Sequence, residues 1–350
     1  MKQVYLLLFA ALFAGSLFAQ SDTTATIKAY GFADIYYVYD FNAPSSRQRP
    51  SFVYSHHRHN EFTINNAVIG LKYNTAWLRS AVAFHAGTYV EQNYAAEPLI
   101  FRYIYEANAG VKFGKKLWLD VGVFSSHIGY ESALSKDNWT LTRSLSSENT
   151  PYYESGAKLS WEINSKWTLT TLLLNGWQNM RDNNSNKALG TQLVFKPSDR
   201  LTLNSSSFIG NEKPDSIRQM RYYHNLYAIY QYSERFALLA AFDIGAEEKA
   251  YGKGTNQWHC GSVIARYQLS ASLITALRAE YYSDPHGVII SYPNGFRTGG
   301  YSMNFDYSPV VNVVLRAEGK VFFAPSPIFE TKNGLSSRNG AFTASMAVNF

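Results

Sequence analysis

The tetrapeptide Leu-Arg-Ala-Glu occurs twice in the last quarter of the chain, at 277–280 and 315–318. In each copy a guanidinium and a carboxylate lie two residues apart, so in an extended strand they share one face. If two such strands are separated by one neighbour, Arg278 and Arg316 stand at similar heights. The repeat therefore predicts either a basic patch that attracts anions or a self-neutralising charge ladder, and the sequence leaves both open.

Other charged residues also alternate with apolar ones, so that charge is confined to one face of each segment. In 311–323 the charged positions alternate with Leu315, Ala317 and Gly319. A period of two predicts strands rather than helices. The residues predicted to face a polar interior are Lys28, Asp34, Arg79, His85, Arg102, Glu106, Lys112, Lys158, Arg266, Arg278, Glu280, Asp306, Arg316, Glu318 and Lys320.

Residues suited to catalysis or metal binding are scattered. Ser125, Ser126 and His127 are adjacent, and His224 is distant, but a hydrolytic triad requires convergence in space. The run 56–59, with three histidines, contains an arginine and is typical of a solvated polar loop. Cys260 is the single cysteine, which excludes an internal disulfide. We therefore expect no catalytic residue, no metal site and no cofactor.

The elements that must position the charged residues are alternating segments that recur about every twenty residues. Sixteen strands are predicted, and an even number places both chain ends on the same side of a barrel. The predicted strands are 26–41, 61–73, 77–89, 99–113, 117–126, 153–163, 167–178, 188–196, 201–210, 221–232, 236–246, 257–269, 272–283, 296–307, 311–323 and 341–350.

The connections between these strands alternate between short turns and long loops. The longest loop, 127–152, contains Lys136, Asp137, Arg143 and Glu148. It is predicted either to fold inward and narrow the interior or to remain at the surface, and the sequence does not decide between them.

The last ten residues indicate which solvent surrounds the strands. Phe342, Met346 and Phe350 share one face of the predicted final strand, and Thr343 and Ser345 share the other. An apolar outer face suits lipid, because a charge there at mid-bilayer costs ~2–4 kcal/mol. Aromatic residues near the short turns are predicted to form a girdle at the membrane surface. They are Tyr73, Trp77, Phe113, Trp118, Trp161, Trp167, Phe195, Tyr232, Phe236, Tyr267, Tyr307 and Phe350.

These patterns predict an all-β fold, a transmembrane antiparallel β-barrel of about 16 strands with long extracellular loops and short periplasmic turns. The basic start and apolar run of residues 1–19 predict a signal peptide, which leaves 20–350 as the barrel domain. Without Lys2 the mature chain has 31 basic and 26 acidic residues, a net charge of 31 − 26 = +5. This mild charge without a polybasic run gives no support for nucleic-acid binding.

Several short sequence segments resemble those of a known protein family. Ile128-Gly129-Tyr130-Glu131, the segments 141–145 and 151–156, and the segment 278–287 resemble the OmpL-like outer-membrane β-barrel porin family of Gram-negative bacteria. Ser155 departs slightly from the usual residue before Gly156. The end of the signal peptide looks like that of a Bacteroidetes-type member. The resemblance implies an outer-membrane location and a channel, and it implies no particular solute.

The sequence thus predicts a porin in which small hydrophilic solutes or ions diffuse passively through a charged, water-filled lumen. If the repeat forms the basic patch, the lumen is expected to prefer anions. A sixteen-stranded barrel is too wide for its side chains to fill. The expected partners are outer-membrane lipid and the solutes, and a homotrimer is compatible with the sequence. Two alternatives remain: a barrel-embedded hydrolase, and a surface-binding barrel with a plugged lumen.

Overall fold

The computed structural model describes residues 25–350, in which sixteen antiparallel strands close into one barrel. The predicted signal peptide, 1–19, lies outside the described residues. The barrel strands are β1 (Thr26–Asp40), β2 (Phe62–Asn74), β3 (Leu78–Ala86), β4 (Ile104–Phe113), β5 (Leu117–Ser125), β6 (Tyr153–Glu162), β7 (Trp167–Leu174), β8 (Ala188–Ser198), β9 (Leu201–Asn211), β10 (Met220–Gln231), β11 (Phe236–Glu248), β12 (Thr255–Gln268), β13 (Leu273–Asp284), β14 (Phe296–Val310), β15 (Val313–Phe323) and β18 (Arg338–Asn349).

The barrel closes where the last strand meets the first. Strand β18 pairs with β15 on one side and with β1 on the other, in a register that runs from Phe32 opposite Asn349 to Asp40 opposite Ala341. The backbones of Gly31 and Phe350 exchange two further hydrogen bonds, of 2.9 and 3.1 Å. Closure removes every free edge from the sheet, so backbone groups in the membrane are paired. The predicted strand number and antiparallel order are confirmed.

The two faces of the strands separate as the alternation predicts. In β18, Phe342 and Met346 are exposed on the outside, whereas Ala341, Thr343 and Ala347 are buried on the inside. The large exposed hydrophobic side chains of the other strands follow the same rule. The outer surface of the barrel is therefore suited to a hydrocarbon environment.

Trp118 does not belong to the predicted aromatic girdle. Its ring lies beneath Arg79 and Lys112 inside the barrel, at 4.4 and 5.6 Å from the ring centre. Trp118 shares the inner face of β5 with Asp120, because the two are two residues apart. Other predicted girdle residues are exposed, including Trp77 and Trp161.

The region after β3 differs from its prediction as two long strands. A helix, Thr88–Asn93, follows Gly87, and a second short helix covers Leu99–Arg102. Pro98 precedes the second helix, where its fixed φ suits a helix start. The strand predicted at 99–113 therefore begins only at Ile104, with a register irregularity opposite Ala83 and Phe84. The prediction that Arg102 lies in a strand is wrong.

Two long loops, 42–60 and 324–340, pack together over the strand ends. The ring of Phe52 in loop 42–60 contacts Phe296 and Phe322, with ring centres 4.8 and 5.7 Å apart. It also contacts Phe329 of a small hairpin formed by β16 (Phe329–Thr331) and β17 (Gly334–Ser336). These aromatic contacts close part of the extracellular mouth. Within residues 25–350, no helix has both the length and the apolar character needed to cross a bilayer.

Candidate functional site

The loop between β5 and β6 folds into the barrel. All residues from Thr140 to Asn149 are buried, although no strand contains them. The loop contains a 3₁₀ turn, Ser135–Asp137, and a short helix, Leu145–Glu148. Ser144 caps this helix, since its hydroxyl accepts the N–H of Ser147. Of the two arrangements that the sequence left open for 127–152, the structure has the inward one, and we call 127–152 the inner loop.

The first copy of the Arg-Ala-Glu repeat binds the middle of the inner loop. Arg278 donates to the carbonyl oxygen of Thr142 at 2.7 Å and to Glu318 at 2.8 Å. Glu318 in turn accepts the N–H of Thr142 at 2.5 Å. The side chains of both Arg278 and Glu318 are buried. One residue of the loop, Thr142, is therefore held by a guanidinium at its carbonyl oxygen and by a carboxylate at its N–H group.

Glu280 and Lys320 form a second contact of this kind. Their side chains approach to 2.8 Å. Glu280 accepts the N–H of Leu145 at 2.6 Å, and Lys320 donates to the carbonyl oxygen of Arg143 at 2.9 Å. Since both charges are buried and paired, neither is free to act on a passing ion.

Arg316, from the second copy of the repeat, binds an earlier part of the inner loop. It pairs with Asp306 at 2.7 Å and donates to the carbonyl oxygens of Ser135 and Asn138, the latter at 2.9 Å. The strand register aligns Arg278 with Lys320 through Ser302, and not with Arg316. The main ion pairs thus run between strands, rather than within each copy of the repeat.

The four charged residues predicted for a constriction have different surroundings. The guanidinium of Arg143 lies between the rings of Tyr89 and Tyr152, 4.5 and 3.8 Å from their centres. Burial acts against its charge, but the surrounding tyrosines and Glu148 raise the pKa of Arg143 above its usual range. Glu148 accepts the N–H groups of two residues in loop 42–60, at 3.1 and 3.2 Å. Lys136 and Asp137 pair with each other at 2.7 Å, and both remain partly exposed.

A second group of charges lies nearer the short turns, on the inner face of β1–β6. The basic members are Lys28, Lys72, Arg79, Lys112 and Lys158, and the acidic members are Glu106 and Asp120. Lys28 and Lys72 are cross-strand partners, as are Asp120 and Lys158. One more inner-face carboxylate, Glu162, lies at the end of β6 beside the short turns, which contain Lys115, Lys116 and Lys166. We call the five basic and two acidic residues the basic sector.

The pairing within the basic sector is incomplete. Arg79 makes a two-point contact with Asp120, of which the Nε to Oδ1 distance is 2.6 Å. Lys72 lies 3.9 Å from Glu106, which also accepts the hydroxyl of Tyr30. The side chains of Lys72 and Arg79 are 49% and 36% exposed. Basic charge therefore exceeds acidic charge here, and part of it is in contact with solvent.

The structure places most of the predicted inner-face residues in two groups. Arg278, Glu280, Asp306, Arg316, Glu318 and Lys320 surround the inner loop, whereas Arg79 and Glu106 belong to the basic sector. Arg266 lies on the inner face 5.8 Å from the ring of Trp139 in the inner loop. Arg102 belongs to neither group, because it donates to the carbonyl oxygens of Glu97 and Ala95 at 2.8 and 2.7 Å.

The inner-face prediction included Lys28, Lys112 and Lys158 but omitted Lys72 and Asp120. Alternation was the available signal: Lys72 lies between Leu71 and Tyr73, which belong to the outer face. Alternation could not reveal which of these lysines remain exposed to solvent when the inner loop occupies the lumen.

The serine and histidine residues considered for hydrolysis do not form a triad. Ser126 donates to Glu154 at 3.0 Å, and His127 contacts the same carboxylate at 2.8 Å. On the outer wall, His224 contacts the hydroxyls of Ser207 at 2.8 Å and Ser205 at 3.4 Å. Both ring nitrogens of His224 thus contact serines, and neither contacts a carboxylate.

A closed sixteen-stranded barrel with an apolar outer face, a charged interior and an inward loop defines an outer-membrane porin. The chain belongs to the family described as "Putative beta-barrel porin-2, OmpL-like", whose sequence profile matches residues 26–350. None of the curated proteins matches the sequence.

Several solved porin structures are similar in fold. The anion-selective porin from Comamonas acidovorans aligns with a TM-score of 0.62 and 7% identity, over 93% of this chain and 100% of that one. OmpF of Salmonella typhi, solved in complex with daunomycin, aligns with a TM-score of 0.62 and 12% identity, over 93% and 97%. OmpT of Vibrio cholerae aligns with a TM-score of 0.58 and 10% identity, over 93% and 98%. At these identities the similarity concerns the fold.

Proposed function

We propose that this outer-membrane porin lets small hydrophilic solutes and ions diffuse passively through its lumen, with a preference for anions. The observation that carries the proposal is the basic sector, in which five basic side chains face two carboxylates on the inner wall. Rings of charged side chains set ion preference in wide pores. The anion-selective porin from Comamonas acidovorans has the same fold, which supports the proposal without determining it.

We place the anion preference on the basic sector rather than on the Arg-Ala-Glu repeat. Arg278 and Arg316 have side-chain exposures of 0% and 1% and are paired with carboxylates. A compact, neutralised ion pair has little field at a distance. Lys72 and Arg79 also have carboxylate partners, but their side chains are partly exposed, so a permeating ion can approach them.

The test is planar-bilayer recording of the purified, refolded protein. Stepwise conductance increments are expected, and a salt gradient should give a reversal potential of the sign that indicates anion preference. A folded barrel that passes no current would contradict the porin proposal and favour the plugged, surface-binding alternative. A cation-selective current would contradict only the assignment of the basic sector.

We infer no hydrolytic activity from the serines and histidines. Ser207 and His224 have suitable spacing, but no carboxylate orients the imidazole. The neighbouring strand N–H groups are engaged in the barrel ladder, so they cannot form an oxyanion hole. Incubation of the refolded protein with a phospholipid or peptide ester should release no product above that of His224→Ala.

We also propose removal of residues 1–19 during export, and assembly as a homotrimer. The apolar run in 4–18 supports the first, and N-terminal sequencing of the mature protein tests it. OmpT of Vibrio cholerae has been solved in a trimer form, which motivates the second. Native mass spectrometry of the detergent-solubilised protein should give three times the protomer mass.

A further inference from the structure

A cavity of about 270 Å³ lies beside the inner loop. Its volume is close to that of the smallest ligand pockets, ~300 Å³. We call it the tyrosine cavity. Its lining includes Tyr94, Tyr105, Tyr130, Tyr152 and Tyr227 together with Glu131.

The cavity lies between the inner loop and the barrel wall. Tyr130 belongs to the loop, whereas Tyr105 and Tyr227 belong to β4 and β10, which are six strands apart in the barrel. The rings of Tyr130 and Tyr227 meet edge to face, with centres 6.1 Å apart. The cavity is thus a gap between the inner loop and the barrel wall.

The tyrosine rings are held by other contacts. The hydroxyl of Tyr130 is 2.6 Å from that of Ser262 on the wall. Tyr94 stacks on Tyr153 with ring centres 4.3 Å apart. Burial is the main reason why the pKa values of Tyr94, Tyr130 and Tyr152 are raised well above 10, so these hydroxyls stay neutral.

The lining of the cavity offers no free charge. Glu131 is its one ionisable carboxylate, and its Oε2 atom already accepts the N–H and hydroxyl of Ser144, at 2.8 and 2.6 Å. Its Oε1 atom lies 3.6 Å from the buried guanidinium of Arg278. What remains for a solute is aromatic surface and the hydroxyl groups of serine and tyrosine. The hydroxyl of Tyr152 is itself buried and has no hydrogen-bond partner among the described residues.

We propose that the tyrosine cavity is a binding subsite for a small neutral saccharide on its way through the lumen. This inference rests on the proposed porin function and adds a solute class to it. A pyranose ring has an apolar face of C–H groups, which packs on an aromatic ring, and hydroxyls at its edge, which pair with serine and tyrosine hydroxyls. No lysine or arginine is among the lining residues to bind an inorganic anion.

The experiment is sugar-dependent block of single-channel current in planar bilayers, with sucrose as the probe. Sorbitol, which carries hydroxyls but has no ring face, is the comparison solute, and the Tyr227 variants separate ring contact from the larger size of sucrose. Sucrose should interrupt the current at lower concentration than sorbitol. Tyr227→Ala should raise the half-blocking concentration of sucrose about tenfold, since a lost aromatic contact is worth about that factor. Tyr227→Phe should retain most of the block.

The control variant is Tyr281→Ala, an exposed tyrosine on the outer wall, which should leave the sucrose block unchanged. Equal block by sucrose and sorbitol in a conducting channel would overturn the saccharide proposal and leave the porin function standing. If the wild-type protein does not conduct, the porin function fails. Calorimetric titration of the detergent-solubilised protein with sucrose then decides the binding proposal: heat that is lost in Tyr227→Ala supports it, and no heat overturns it.

Discussion

Arg278 and Glu318 lie 2.8 Å apart and bind opposite ends of the same residue of the inner loop, Thr142. The arginine donates to the carbonyl oxygen of Thr142, and the glutamate accepts its N–H group. Neither charged side chain reaches solvent. The charged wall of β13–β15 therefore serves to position the loop that narrows the lumen.

Arg278→Met should destabilise the barrel and loosen the inner loop. The substitution leaves Glu318 and its neighbour Glu280 without their common partner, and an unpaired buried charge costs about 3–5 kcal/mol. We expect a lower unfolding midpoint in urea, together with a higher and noisier single-channel conductance. The control is Lys187→Met, which breaks a partly exposed pair with Asp182 and should change stability by less than about 1 kcal/mol. Unchanged conductance and stability in Arg278→Met would show that the loop is held elsewhere.

The double variant Arg278→Met/Glu318→Met should be less destabilised than the sum of its single variants. Once both charges are absent, neither side chain leaves the other unpaired, and coupling between contacting residues is ~0.5–3 kcal/mol. A double-mutant cycle measured by urea unfolding gives this coupling directly. Strict additivity would mean that the two residues stabilise the loop independently.

Lys72→Gln combined with Lys158→Gln should shift selectivity toward cations. Each ammonium at ~8 Å from a hydrated ion contributes ~0.5 kcal/mol in water, which is about a twofold change in ion partitioning. The reversal potential in a salt gradient measures the shift. The matched control, Lys187→Gln, lies in an outer loop and should leave the reversal potential as it is in the wild type. An unchanged reversal potential in the double variant would show that the basic sector does not determine the ion selectivity.

Asp120→Asn should have the opposite effect and increase anion preference, because it removes one of the two carboxylates of the basic sector. The reversal potential of the variant tests the sign. A shift toward cations in Asp120→Asn would contradict our assignment.

Much of the barrel could be predicted because a two-residue period decides both structure and orientation. In β18 the exposed Phe342 and Met346 and the buried Thr343 follow directly from alternation. The same rule placed Arg278, Glu280 and Glu318 on the inner face. Where a turn or proline interrupts the period, as at Pro98 before Leu99–Arg102, the rule gave a strand where a helix exists.

The position of the inner loop could not be predicted, since the contacts that hold it join distant parts of the sequence. Glu318 is separated by 176 residues from Thr142, whose N–H group it accepts. No period or motif within 127–152 encodes such a partner. The roles of the charged residues changed for the same reason: exposure in the lumen depends on what the loop covers, and not on which face a residue occupies.

The barrel should lose stability as pH rises above neutrality, through His127. Burial lowers the pKa of His127, but the carboxylate of Glu154 at 2.8 Å outweighs it, and the pKa is raised above its usual value. The protonated form is thus favoured in the folded state. The stability that the protonated imidazole contributes is complete below the unfolded pKa of ~6.5 and is lost as pH rises through the raised folded value.

The unfolding midpoint, measured at a series of pH values from about 6.5 upward, should fall in the wild type. In His127→Gln this segment of the curve should be flatter, because no proton remains to be lost at the base of the inner loop. An identical slope in both proteins would assign the pH dependence to other groups.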